Sequence, residues 1–237
     1  MSAPALLLNV DRLDYAPAWD LQRRLVEERA AGLRPDLLLL LEHEPVFTVG
    51  RCGKAEHWAG LEAEGHKVHH VERGGSVTYH GPGQLVGYPI VRLSDHCPGP
   101  KAYVRLLEEV VIRTLADWGI AGERVERLPG VWIGGSTREK IAAVGVRINR
   151  GVTMHGFALN VDPDLTPFSR ITPCGIAGCR VTSMAALLGR PVDMRLVRRQ
   201  VAGRFGQLFD LDWTEQKPAE ALLPAGVGGG GGEGGVQ

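Results

Sequence analysis

The sequence has no Cys-x-x-Cys pair, no Gly-x-x-x-x-Gly-Lys-Ser/Thr loop and no long apolar run, and its charges cancel. Each absence removes a class of function. The most apolar stretch, residues 37–41, is far too short to cross a bilayer, which takes about 20 residues. The start of the chain carries neither the basic region nor the apolar segment of a secretory signal, so a cytoplasmic protein with no membrane partner is expected. With 27 basic and 27 acidic residues, no bulk field draws the chain to nucleic acid. The four cysteines, Cys52, Cys97, Cys174 and Cys179, lack zinc or dithiol spacing. Reduced thiols, no metal site and no bound cofactor are therefore expected.

What remains is a chain of 237 residues, 44% hydrophobic, long enough to bury one core. Apolar spacing and stop signals predict helices over 17–31, 100–118, 182–188 and 193–209, the last capped by Asp193. Short apolar or β-branched runs predict strands over 36–42, 67–72, 84–91, 130–133, 140–149 and 156–161. Strands and helices mix without regular alternation. This pattern reads as one α/β (α+β) domain with a mixed β-sheet flanked by helices. We place that domain at 1–215 and a glycine-rich, disordered tail at 216–237.

Three segments carry candidate chemistry. Arg73-Gly-Gly-Ser-Val-Thr-Tyr-His-Gly-Pro-Gly83 reads as a loop between strands whose backbone can approach a ligand closely, with Arg73 available to an anion. A free cysteine is usually a small buried hydrophobe, and read alone Cys174 fits that role better than catalysis, but Pro173 before it and Gly175 after it suit a rigid exposed turn better than a core. A thiol with an ordinary pKa near ~8.5 is only a few per cent thiolate at neutral pH unless a cation or helix end favours the anion. Lys140, opening the apolar strand Ile141-Ala-Ala-Val144, is a candidate cation, although spacing alone reads it as a solvated strand end. His43, His80 and His155 each qualify as the base of a Cys-His pair, and the sequence does not choose among them. Cys179 reads as a bystander thiol.

Taken in order, Leu41-Glu-His-Glu-Pro-Val-Phe-Thr-Val-Gly-Arg51, the run from Arg73 to Ile90, Lys140-Ile-Ala-Ala-Val-Gly-Val-Arg147, Gly151-Val-Thr-Met-His-Gly-Phe-Ala-Leu-Asn160 and Pro173-Cys-Gly-Ile176 resemble the lipoyl(octanoyl) transferases. The resemblance runs through most of the chain. It implies the biotin/lipoate protein ligase fold. It also implies transfer of an octanoyl group from octanoyl-acyl carrier protein to a lysine of lipoyl-accepting domains, namely 2-oxoacid dehydrogenase E2 subunits and the glycine-cleavage H protein. By the same resemblance Cys174 is the acyl-thioester nucleophile and Lys140 the lysine that favours its thiolate. Arg73, Gly74, Gly75, Ser76, Val77, Thr78, Tyr79, His80, Ala143, Val144, Gly145, Gly156, Phe157 and Ala158 fall on acyl-substrate contacts. Three rivals share parts of this pattern: an ATP-dependent ligase, a non-catalytic acyl-binding module, and a cysteine hydrolase releasing free fatty acid.

Overall fold

The computed structural model describes residues 2–134, 138–172 and 178–217. The expected nucleophile Cys174, and the expected tail from residue 218 onward, lie outside the described residues. The elements in chain order are β1 (Ala3–Leu13), α1 (Tyr15–Ala30), β2 (Leu37–His43), β3 (Val46–Val49), β4 (Val68–His70), β5 (Val77–His80), β6 (Gln84–Ile90) and α2 (Pro100–Ala116). They continue with β7 (Gly122–Val125), β8 (Leu128–Ile133), β9 (Glu139–Asn149), β10 (Val152–Asn160), β11 (Arg180–Val181), α3 (Met184–Leu188), α4 (Met194–Phe209) and β12 (Leu211–Gln216).

A large mixed sheet runs in the order β12-β1-β2-β6-β10-β9-β8-β7, with β11 added along β9. The leucine run of β2 explains its central place. Leu37, Leu39 and Leu41 join Leu21 and Leu25 of α1 in one core, whereas Leu38 and Leu40 join Tyr103, Leu107 and Phe205 of α2 and α4 in the other. A strand buried on both faces reads as an unbroken apolar run, and this one does. The helices form where their spacing predicts. Ser183 accepts from the Ala186 N–H at 3.2 Å and Asp193 from the Arg195 N–H at 2.9 Å, so both late helices start on side-chain caps.

A second, three-stranded sheet in the order β4-β3-β5 lies outside the main one. Here the sequence reading needs correction. Residues 77–80, expected as part of a glycine-rich loop, are a strand paired to β3 from Val46↔His80 to Val49↔Val77. The strand expected over 67–72 shortens to Val68–His70. The domain edge expected at 215 falls one residue short of the end of β12, which pairs in parallel with β1. Among the described residues no helix is long and apolar enough to cross a membrane.

Candidate active site

The floor of the site is three adjacent strands, β9, β10 and β6. Ala158 pairs with Ala143 on one side and Val86 on the other, and Gly156 pairs with Gly145. Side chains at these positions are small or apolar, which leaves open space above the sheet. β5 of the small sheet supplies Val77, Thr78 and His80 to the same space. The result is a narrow cavity with mainly apolar walls. Gly156 is needed for its shape: a Cβ there would stand 2.2 Å from the Gly87 carbonyl oxygen and 2.7 Å from Pro89 Cδ. Neither backbone nor a ring carbon can yield cheaply. Gly156→Ala should therefore cost about 1–3 kcal/mol, the range of an overpacked core. A urea midpoint equal to that of the parent protein would contradict this account of the floor.

A smaller cavity adjoins the first through shared walls at Thr78, Ala143 and Ala158, and Lys140 lines it. The expectation of a solvated strand end is wrong. Lys140 is only 5% exposed, its Nζ donates to the Pro129 carbonyl at 2.8 Å, and it stands 5.0 Å from the centre of the Trp132 ring. Gly130 makes that path possible, because at φ +121° it carries no Cβ, and one would sit 2.6 Å from Lys140 Cε. Its N–H is fixed by the buried Glu108 carboxylate at 2.9 Å. Phe168 and Val181, on either side of residues 173–177 in the chain, line the cavity with Lys140. β11 holds this junction in register, with Val181 opposite Lys140 and the Thr182 N–H donating to the Lys140 carbonyl at 3.0 Å.

Polar groups beside the cavities are tied into a directed chain. Arg73 donates to the Thr48 carbonyl at 2.7 Å, to Thr48 Oγ1 at 2.9 Å and to the Gly74 carbonyl at 2.9 Å. These bonds fasten the glycine-rich segment to β3. The Thr48 hydroxyl faces His80 Nε2 at 3.3 Å, and His80 Nδ1 donates to Gln84 Oε1 at 2.7 Å. Gln84 in turn donates to Asn160, and Asn160 to the Thr182 carbonyl at 3.0 Å.

The three candidate histidines are all buried and neutral. Burial pushes His80 well below the usual histidine value, His43 down to about 4 and His155 down to about 3, the last helped by the nearby Arg73. His43 Nδ1 faces the Leu13 carbonyl, which can only accept, so Nδ1 carries the proton and Nε2 accepts from the Tyr88 hydroxyl at 2.7 Å. His155 has a left-handed φ of +57°, unusual in a strand, and its N–H is caught by Gln22 of α1 at 2.9 Å. Its Nε2 has no hydrogen-bond partner among the described residues. None of these histidines lines the cavity that Lys140 lines.

Of the fourteen expected substrate contacts, twelve line the larger cavity. Gly74 and Tyr79 do not. The Gly74 N–H ties the segment to the Val146 carbonyl at 3.0 Å. Strand alternation turns Tyr79 away from Thr78 and His80, toward Phe47 and Phe168 at 5.2 and 5.6 Å between ring centres. The sequence reading missed Tyr15, Val86 and Tyr88. The last two had a signal, since Gln84, Val86 and Tyr88 alternate along β6 and all reach these cavities. Tyr15 had none, as α1 brings it from a distant part of the chain.

The architecture is that of the lipoate and biotin protein ligases. A lipoate-protein ligase A bound with ATP superposes with a TM-score of 0.69 at 19% identity, covering 93% of this chain and 91% of that one. A biotin protein ligase from Aquifex aeolicus in complex with biotin and ATP gives 0.53 at 15% identity, covering 87% and 70%. Residues 14–206 match the lipoyl protein ligase A/B catalytic domain. Curated relatives named octanoyltransferase are much nearer in sequence. The one from Chloroflexus aggregans is 48% identical over 90% of this chain and 96% of its own, and that from Rubrobacter xylanophilus is 49% identical over 85% and 94%. The chain belongs to the lipoyl protein ligase A/B catalytic domain family, and within it to the octanoyltransferases.

Proposed function

We propose that this enzyme acts in the cytoplasm, taking an octanoyl group from acyl carrier protein onto Cys174 and passing it to a lysine of a lipoyl-accepting domain, in E2 subunits or the glycine-cleavage H protein. The observation that carries this reading is the buried Lys140 amine in a cavity that shares walls with the larger apolar one, the two read together as one channel, and that is also lined by Phe168 and Val181 from either side of the Cys174 segment. In the first step the Cys174 thiolate attacks the carrier thioester, a new C–S bond forms, and the carrier sulfur leaves with the proton of the Lys140 ammonium, so that the lysine becomes neutral. One thioester replaces another, so the step needs no nucleotide. In the second step the acceptor amine attacks the enzyme thioester, Lys140 takes a proton from the amine, and the Cys174 thiolate departs as the amide forms. As a cation before the first step and again after the second, Lys140 favours the Cys174 thiolate both as nucleophile and as leaving group.

Intact-protein mass spectrometry after mixing with octanoyl-carrier protein tests this. An adduct of one octanoyl group is expected on the parent enzyme and none on Cys174→Ser. Modification of an acceptor domain from free octanoate that needs ATP and survives Cys174→Ser would identify a ligase instead. Free fatty acid released without acceptor modification would identify a hydrolase.

A further inference from the structure

Tyr15 is the one residue, among those described, that lines both the apolar channel and an open groove on the outer surface. Its place follows from the strands. On β6, Gln84 lies in the Lys140 cavity, whereas Val86 and Tyr88 line the larger one. From Gln84 to Tyr88 is four residues, about 14 Å at the usual strand rise, so Tyr88 marks the end of the channel away from Lys140. Tyr88 is bonded to His43, and the His43 ring lies 5.1 Å from that of Tyr15. The Tyr15 ring, 4% exposed, stacks on His80, which lines the channel, at 6.1 Å and 12°. It also stacks on His69, which lines the outer groove, at 5.3 Å and 27°. The groove beyond is apolar along Pro17, Pro45, Val46 and Val68, and the Lys67–Asp14 ion pair lies at its rim.

We propose that Tyr15 is a specificity-determining residue: its ring is the end wall that stops the acyl chain, and the groove behind it is where a longer chain would run if the ring were gone. This rests on the reading of the channel as the acyl site. The space that limits chain length is then set by one side chain at the start of α1, remote in sequence from the motif segments. The wall is aromatic on both sides and contributes no ion to the channel, so its action is steric.

The test is a competition among octanoyl-, dodecanoyl- and hexadecanoyl-carrier proteins, read as acyl-enzyme adducts by mass spectrometry. For Tyr15→Ala the dodecanoyl-to-octanoyl ratio should rise at least tenfold over the parent enzyme, and Tyr15→Leu should show a smaller rise in the same direction if the alanine variant does not fold. Tyr15→Phe keeps the ring and should keep the parent ratio. Adding Val68→Trp to Tyr15→Ala blocks the groove and should return the ratio toward the parent value. An unchanged ratio in folded Tyr15→Ala or Tyr15→Leu, or equal loss for every chain length, would overturn the proposal. Failure of the parent enzyme to accept any chain would instead remove the acyl-site reading beneath it.

Discussion

Lys140→Ala should lower octanoyl transfer to an acceptor domain by about a thousandfold at pH 7.4, within the 10²–10⁴ range expected of a positioned general base. The difficulty it addresses is chemical. A lysine acceptor with an ordinary pKa near 10.4 is only about 0.1% neutral at that pH, which costs about 4 kcal/mol. A group that takes the proton as the amine attacks relieves this, and among the described residues no histidine lines the Lys140 cavity to do it. Arginine separates the two roles assigned to Lys140. Lys140→Arg keeps a cation at position 140 but holds its proton at any accessible pH. Its acyl-enzyme should still form, while passage to the acceptor stays slow. Quenched mass spectrometry following adduct growth and adduct decay separately measures both. Near-normal decay in Lys140→Ala would take Lys140 out of the mechanism.

The same lysine shows what a sequence can and cannot display. Its position at the head of an apolar strand was readable, but not its burial. That depends on Pro129, Gly130 and Glu108 from β8 and α2, which meet it only in the folded chain. The central strand was legible because five consecutive leucines suit burial on both faces. β1 was not, although it is eleven residues long. Its register shifts between Asn9 and Arg12, so the two-residue alternation that marks a strand breaks midway. β5 was hidden for a different reason. It is four residues long and set among glycines, and only pairing with β3 makes it a strand. The floor of the channel came through as motif residues, whereas its end wall, Tyr15, lies outside every motif.

Acid should destabilise this protein well above the range in which carboxylates titrate. His43 and His155 have folded-state values of about 4 and about 3, and His80 is also held well below 6.5, all through burial. In the unfolded chain each returns to about 6.5. Below that pH the unfolded state binds protons that the native state refuses, so stability falls as pH falls, from 6.5 down through the folded values. Each histidine contributes up to 1.36 kcal/mol per pH unit in that window, so at pH 5 the loss approaches about 2 kcal/mol apiece and roughly 4–6 together. That is a large part of the 5–15 kcal/mol typical of a folded domain. Urea unfolding at pH 7.5 and pH 5.0 should show a large drop in midpoint. His43→Gln removes one titrating ring and should flatten the slope by about a third while lowering stability at pH 7.5, because Tyr88 and Leu13 lose their partner. A midpoint that holds steady from pH 7.5 to 5.0 would mean that these rings are charged or wet in the native state. The channel would then not be the dry, neutral space that an acyl chain requires.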